Sequence, residues 1–185
     1  GSLAGALVMT GPESADALGA WALIEQAEDD ARATGDRFVM AFVALMRGRM
    51  AGHAGRLAEA RVSFQEAAAF YALSVDQTAL PTDKTYANQL KAAAILERLF
   101  KVEPEHPGVT HYLIHSYDVP PLAPKGLVYA RRYANLAPDA PHALHMPAHT
   151  FTRVGSWQES IETNIRSHDT ALKSNGTGEA LHAMD

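Results

Sequence analysis

The feature of this sequence that most restricts its fold is a proline and histidine pattern that occurs twice at a spacing of 34 residues. The matching positions are Pro104 and Pro138, Pro107 and Pro141, His111 and His145, His115 and His149, and Tyr117 and Phe151. Recurrence at a fixed period is the signature of a repeat architecture, in which each unit buries its apolar face against its neighbours. We therefore expect a stack of similar units rather than one layered domain.

The remainder of the sequence predicts helices and no sheet. Alanine is abundant and apolar residues recur every three or four positions, whereas valine, isoleucine and threonine never alternate as they would in a strand. The predicted helices lie at about 14–34, 57–75, 83–100, 107–117, 125–136, 141–154 and 157–173, with a last one from about 179. Another, capped by Asp36, carries the apolar residues of 38–46 and is broken at 52–55. The predicted N-terminal caps are Asp36, Thr82 or Asp83, and Ser156 paired with Glu159.

A 34-residue helix–turn–helix period is that of the tetratricopeptide repeat (TPR). The predicted fold class is accordingly all-α: an α-solenoid of antiparallel helix pairs, wound as a TPR-like right-handed superhelix. We expect residues 1–185 to be a single TPR-like domain and a fragment of a longer protein. Its repeat units are predicted at about 70–104, 105–138 and 139–175, and another unit starts at 179.

A second register conflicts with the first of these units. Small and aromatic residues have the spacing of packing positions in a repeat that begins near residue 41. They are Gly48, Ala60, Phe64 and Ala67. That register excludes a first helix at Phe70–Ser74, so at most one of the two assignments is right.

Composition narrows the function classes. The net charge is −5 at pH 7, which argues against nucleic acid because phosphate binding needs a basic surface. Cysteine is absent, so thiolate catalysis, disulfides and cysteine zinc sites are excluded. No apolar run approaches the ~20 residues of a membrane span, so we expect no membrane insertion. The sequence leaves the compartment open, cytoplasmic or periplasmic, and the expected partners are a protein or peptide segment or a small polar ligand.

Histidine is the unusual component of this chain. Six of the nine histidines belong to the repeated pattern: His111, His115, His142, His145, His149 and His182. Two pairs are spaced i, i+4, which places both side chains of a pair on one helix face, and matching positions of adjacent repeats lie side by side. Stacked helices are about 8–10 Å apart, so facing pairs can close on one divalent ion. The predicted metal ligands are His111, His115, His145 and His149, with Asp118 or His142 completing the shell.

Imidazole ligands suit zinc, copper, nickel or iron, and a carboxylate ligand argues against copper(I). The sequence establishes no cofactor, and zinc and iron are the candidates. Neither histidine pair has the intervening glutamate of a zinc-protease helix, so protease chemistry is not predicted. The rival interpretation is a histidine ladder that only fixes the packing of the repeats, because duplication of a repeat reproduces such a ladder without any ligand.

Two longer stretches, His106–Asp118 and Ala137–His149, resemble an uncharacterised family of bacterial TPR-like proteins, and residues 84–88 and 180–185 are similar to other parts of its pattern. The resemblance covers residues 70 to 185. It implies an α-helical repeat fold in a longer chain, and it implies no reaction. In tetratricopeptide repeats, positions two, five, nine and twelve of the first helix line the concave groove. The candidate groove residues at those positions are His111, His115, Asp118, His142, His145, His149 and Thr152.

Three functions remain open at this stage. The first is a TPR-like binding module whose histidine-lined groove takes a protein or peptide segment, a polar ligand or a divalent metal ion. The second is a metal-dependent enzyme, a hydrolase or an oxygenase, built on the solenoid. The third is a purely structural histidine ladder. The sequence contains neither a nucleophile elbow nor a phosphate-binding glycine loop, so binding is favoured over catalysis.

Overall fold

The computed structural model describes residues 15–133 and 135–184, with side chains from residue 19 onward in the first helix. Over this part of the chain the protein has nine α-helices and no strand, which confirms the predicted all-α class. The helices are α1 (Ala15–Thr34), α2 (Arg37–His53), α3 (Leu57–Gln77), α4 (Ala87–Val102), α5 (Pro107–Tyr117), α6 (Ala123–Tyr133), α7 (Pro141–Val154), α8 (Trp157–Lys173) and α9 (Thr177–His182). The predicted helix start at Ser14 lies outside the described residues, as do Ala134 and Asp185.

The chain divides into two compact units, with the boundary between Ser74 and Val75 inside α3. The first unit contains α1, α2 and most of α3. The second contains the last residues of α3 and all of α4 to α9. None of the helices in the described ranges is both long and apolar enough to cross a membrane.

In the first unit, α2 begins where the sequence predicts because Asp36 caps it. The Asp36 carboxylate accepts hydrogen bonds from the backbone N–H groups of Phe38 and Val39, both at 3.0 Å. Gly48 of α2 faces the ring of Phe64 in α3 so closely that a Cβ atom there would lie 2.7 Å from two ring carbons. The missing side chain at this position therefore allows α2 and α3 to approach each other.

The second unit is built from helices that pack on their neighbours in the chain. Each helix from α4 to α8 contacts the one that follows it, and α7 also contacts both α5 and α9. Large apolar side chains of α5 and α7 are almost completely buried: Leu113, Ile114, Leu144 and Met146. Helix α7 is thus the element against which α5, α6, α8 and α9 all pack.

A carboxylate of α4 links this helix to α5 and α6. Glu97 accepts hydrogen bonds from the hydroxyls of Tyr117 at 2.7 Å and Tyr129 at 3.2 Å. Burial and the nearby Glu97 raise the pKa of Tyr129 to about 12 and that of Tyr117 further, so both phenols remain donors at neutral pH. Gly126 of α6 lies where three helices converge, since a Cβ atom there would be 3.1 Å from Cβ of Tyr117 and 3.4 Å from Oγ1 of Thr150.

The predicted start of α4 is wrong. The helix begins at Ala87, and its N-cap residue Tyr86 has a φ angle of 55°. Neither Thr82 nor Asp83 is the N-cap residue. Asp83 instead closes the preceding turn, because its carboxylate accepts hydrogen bonds from the backbone N–H of Thr85 at 2.8 Å and from the Thr85 hydroxyl at 2.7 Å.

Two further local predictions need correction. Helix α6 begins and ends earlier than the predicted range 125–136. The earlier start is possible because Pro124 fits the first turn of a helix, where its missing N–H is not needed. Ser156 precedes α8 as predicted, but its side chain makes no cap hydrogen bond within the part of the chain that is described. Its expected partner Glu159 pairs with Arg131 of α6 at 3.0 Å, and both Arg131 and a hydrogen bond from Ser156 act to lower the pKa of this carboxyl group.

Helix α7 runs without a break through Pro147, which is buried. A proline nitrogen has no hydrogen to donate, so the carbonyl of Ala143 loses the bond that an ordinary residue would make to it. Gly155 ends the helix with a φ angle of 77°, a conformation that glycine adopts without strain. Two residues on either side of Pro147 the helix carries a histidine.

Candidate functional site

Two histidine pairs lie on α5 and α7. The α5 pair, His111 and His115, and the α7 pair, His145 and His149, each span one helical turn. In the α5 pair the Nε2 atoms are 3.0 Å apart and the ring centroids 4.8 Å apart. In the α7 pair the corresponding distances are 3.1 Å and 4.9 Å. Each pair thus brings its two Nε2 atoms together.

Two further histidines join the pairs into one group. The ring centroid of His142, at the start of α7, lies 5.2 Å from that of His111 and 6.4 Å from that of His145. The ring centroid of His182, in α9, lies 4.5 Å from that of His145 and 6.1 Å from that of His142. The histidine cluster consists of His111, His115, His142, His145, His149 and His182.

The cluster is at the protein surface, with one deeply placed member. His145 is only 8% exposed, whereas the side chain of His149 is 32% exposed. His142 and His182 are exposed, and the α5 pair is half-buried. A ligand from solvent can therefore reach the cluster without opening the core.

Asp118, at the C-terminal end of α5, orients His149 of α7. Its Oδ2 accepts a hydrogen bond from Nδ1 of His149 at 3.1 Å, and its Oδ1 accepts one from Nε of Arg153 at 2.9 Å. Burial acts to raise the pKa of Asp118, but the hydrogen bonds from His149 and Arg153 outweigh it and hold this pKa below its usual value. The carboxylate therefore stays ionised at neutral pH and keeps Nδ1 of His149 as its donor.

His145 is oriented by Asn164 of α8, a residue that sequence reasoning did not single out. Nδ1 of His145 donates a hydrogen bond to Oδ1 of Asn164 at 2.9 Å. A single asparagine in an amphipathic helix belongs to no motif, and its partner becomes visible only once α8 packs against α7. His145 and His149 thus both point Nδ1 at an oxygen of a neighbouring element.

Burial keeps two members of the cluster uncharged. It lowers the pKa of His145. The hydrogen bond to Asn164 acts to raise this pKa, and the nearby histidines act to lower it further. Burial also lowers the pKa of His142, with an opposing effect from Glu179. Both imidazoles are therefore neutral at pH 7, which is the form that binds transition metals.

Thr152 and the remaining histidines of this unit have partners outside the cluster. The Thr152 hydroxyl is hydrogen-bonded to the Ser160 hydroxyl of α8 at 2.9 Å, so this candidate groove residue is held against α8. His106 caps α5, because its Nδ1 accepts a hydrogen bond from the backbone N–H of Val109 at 3.3 Å. His168 lies 3.1 Å from its neighbour Asp169.

The described residues contain no group of three or more histidine, aspartate or glutamate side chains placed to hold one metal ion. Each histidine pair offers two nitrogens, and Asp118 lies behind His149 rather than beside its Nε2. A single ion shared by all four pair members would need the pairs to converge further. The four-histidine site of His111, His115, His145 and His149 therefore remains a prediction.

Comparison of the chain with protein-family models, curated proteins and solved structures finds no significant match. The resemblance to TPR-like proteins accordingly remains a prediction from the sequence.

Proposed function

We propose that this protein is a TPR-like binding module whose histidine cluster binds a divalent transition-metal ion, zinc or iron. The observation that carries the proposal is the geometry of the two histidine pairs. In both, the Nε2 atoms are close together while the ring centroids are only moderately farther apart.

Two imidazole rings that share an ion point their Nε2 atoms at one spot. The Nε2–Nε2 and centroid–centroid distances of the α5 and α7 pairs can be compared with those of a symmetric pair of rings. In a symmetric pair with these distances, the two ring axes meet about 2 Å from each Nε2 atom, which is the length of a zinc–histidine bond. A straight N–H···N hydrogen bond with the same nitrogen separation would hold the centroids farther apart. These separations are compatible with two-histidine metal ligation and support the proposal.

The chemistry of the cluster also suits an ion. Neutral imidazole is a common ligand of zinc and iron, and ligating histidines usually donate their other N–H to a carboxylate such as Asp118. An ion with two imidazole ligands retains open coordination positions. A donor group of a peptide or of a small polar ligand would fill them, so the loaded cluster would also be the surface on which a partner binds.

The packing of α7 against α5 and α9 supports the TPR-like part of the proposal. Helices α5 and α7 begin at Pro107 and Pro141, and α6 and α8 begin at Ala123 and Trp157, so both helices of two successive units start 34 residues apart. Contact between equivalent first helices is what a solenoid of helix pairs requires. In such a solenoid the first helices line the concave side, and the histidine cluster belongs to first helices.

The test is the metal content of tag-free protein purified without chelators, followed by titration of the metal-free protein with Zn²⁺ and Fe²⁺. We expect near-stoichiometric metal in the wild type. The double variant His111→Ala with His145→Ala breaks both pairs and should lose the ion. His53→Ala, which changes a histidine of the first unit, is the matched control and should keep it.

A structural ladder predicts a different result. Histidine substitutions would then lower the melting temperature, and the wild type would take up none of these ions at micromolar concentration. That outcome would contradict the proposed metal binding. The proposal concerns binding and not catalysis.

A further inference from the structure

We infer that the α7 pair, His145 and His149, is the primary site of the ion, and that Asn164 and Asp118 are positioning residues that set its affinity. The inference rests on the proposed metal binding and names the ligands within the cluster.

Both rings of the α7 pair use Nδ1 as a hydrogen-bond donor. Nδ1 of His145 faces the carbonyl oxygen of Asn164 at 2.9 Å, and Nδ1 of His149 faces the carboxylate of Asp118 at 3.1 Å. An amide oxygen and an ionised carboxylate only accept, so each Nδ1 carries the hydrogen. A neutral imidazole with its hydrogen on Nδ1 has its lone pair on Nε2.

The two Nε2 lone pairs of the α7 pair then face each other. Their atoms are 3.1 Å apart, and the rings are inclined at 78°. Two acceptors at this distance repel each other unless a cation lies between them. The nitrogen separation fits a hydrogen bond through a proton, and the centroid separation of 4.9 Å is also compatible with two rings that converge on a shared metal ion.

The two oxygen acceptors also fix the rings before an ion arrives. Asp118 is itself held by Arg153, whose Nε lies 2.9 Å from the second carboxylate oxygen. Asn164 is on α8, which packs against α7. Rings fixed in this way lose little freedom on binding, and their Nε2 atoms become more basic. Partners of this kind change metal affinity by roughly 10–100-fold.

Zinc titration by calorimetry at pH 7.5, with a competing chromophoric chelator, tests the ligands. His145→Ala and His149→Ala should each remove the tightest ion. His111→Ala and His115→Ala should weaken the tightest ion less than either variant of the α7 pair, and the control His168→Ala, outside the cluster, should leave its affinity within roughly threefold. Circular dichroism confirms that each variant is folded. If the variant of the buried His145 does not fold, the variant of the half-buried His149 still tests the site.

Asn164 tests the positioning role separately. Asn164→Leu keeps the size of the side chain and removes the acceptor, so zinc affinity should fall by roughly 10–100-fold. Asn164→Asp retains an oxygen acceptor and should bind zinc within a few-fold of the wild type or more tightly. Asp118→Asn keeps an acceptor and removes its charge, so its zinc affinity should lie between those of Asn164→Leu and Asn164→Asp. A merely structural role for Asn164 would change the melting temperature of the leucine variant without changing its zinc affinity.

The outcomes separate this inference from the proposed function. Loss of the tightest ion in His111→Ala or His115→Ala would show that the α7 pair is not the primary site, although metal binding itself would stand. Equal zinc affinity of Asn164→Leu and the wild type would overturn the positioning role. A wild-type protein that binds no zinc would overturn both the inference and the proposed function.

Discussion

Asp76 and Asp118 are carboxyl groups of the same unit whose pKa values move in opposite directions. Burial raises the pKa of Asp76 to about 6, and the negative charge of Asp118 adds to this rise. A hydrogen bond from Ser116 opposes it. Within the described part of the chain, Oδ1 of Asp76 has no hydrogen-bond partner. Asp118 is also buried, but His149 and Arg153 outweigh that effect. The partners of a carboxyl group thus decide the direction of its shift.

Asp76→Asn is therefore expected to stabilise the protein at high pH. A carboxyl group whose folded pKa is raised contributes its stability below its unfolded pKa of about 4 and loses it as the pH rises through about 6. At pH 8 the variant should exceed the wild type by about 1–2 kcal/mol in free energy of unfolding, after allowance for solvent screening. Urea unfolding at pH 8 and pH 5 measures the difference, with the exposed Asp139→Asn as control. A difference that is the same at both pH values would contradict the shift.

The histidine cluster should change stability with the opposite sign. Burial lowers the folded pKa values of His142 and His145, so the unfolded chain binds more protons. The contribution of these residues to the stability of the folded state is present above their unfolded pKa of about 6.5. It is lost as the pH falls toward their pKa values in the folded protein. In the Asp76→Asn background, metal-free protein should melt at a lower temperature at pH 5 than at pH 7. Calorimetry in the presence of a chelator measures this, and an equal or higher melting temperature at pH 5 would speak against neutral imidazoles at these two positions.

At the scale of single elements, the sequence predicts a helix well where its ends carry unambiguous signals. Helix α7 has the predicted bounds because Pro141 suits a first turn and Gly155 adopts a left-handed conformation. The start of α4 was misplaced because Asp83 is suited both to an N-cap and to a turn. Which of the two forms depends on packing that a local pattern does not contain.

Gly126 tests the close approach of α5, α6 and α7. An alanine Cβ there would lie 3.1 Å from Cβ of Tyr117, an atom that is bonded to the backbone and cannot turn aside. Gly126→Ala should therefore not raise the melting temperature, although alanine favours a helix over glycine by about 1 kcal/mol. Gly19→Ala in α1 is the matched control, since no described atom lies within 4 Å of the new Cβ, and it should be stabilising. Equal stabilisation by both substitutions would show that the approach is not tight.

Helix α9 is short, but it carries a member of the histidine cluster. The ring centroid of His182 lies 4.5 Å from that of His145. The described residues do not place three such side chains around one ion, so His182 would have to move toward the α7 pair to act as a third ligand. His182→Ala should then weaken zinc binding by roughly tenfold without changing its stoichiometry. His168→Ala on α8 is the control, and unchanged zinc affinity in His182→Ala would limit α9 to a packing role.

At the scale of the whole molecule, the repeat predicts which residues come together but not how their atoms are arranged. The 34-residue spacing indicated that the α5 and α7 pairs lie near each other, with His142 between them. It did not indicate that the short nitrogen–nitrogen distances fall within each pair, because those depend on side-chain rotamers. The contact between His145 and Asn164 was equally hidden, since it forms only through the packing of α8 on α7.

Pro147 lies between His145 and His149, in the turn of α7 where the backbone is one hydrogen bond short. A metal ion held by both histidines would cross-link residues 145 and 149, beside the bond that is missing between Ala143 and Pro147, and would stabilise this part of the helix. The supply of metal would then affect the stability of the helix against which α5, α6, α8 and α9 all pack. An ion that binds a partner would therefore also stabilise the fold.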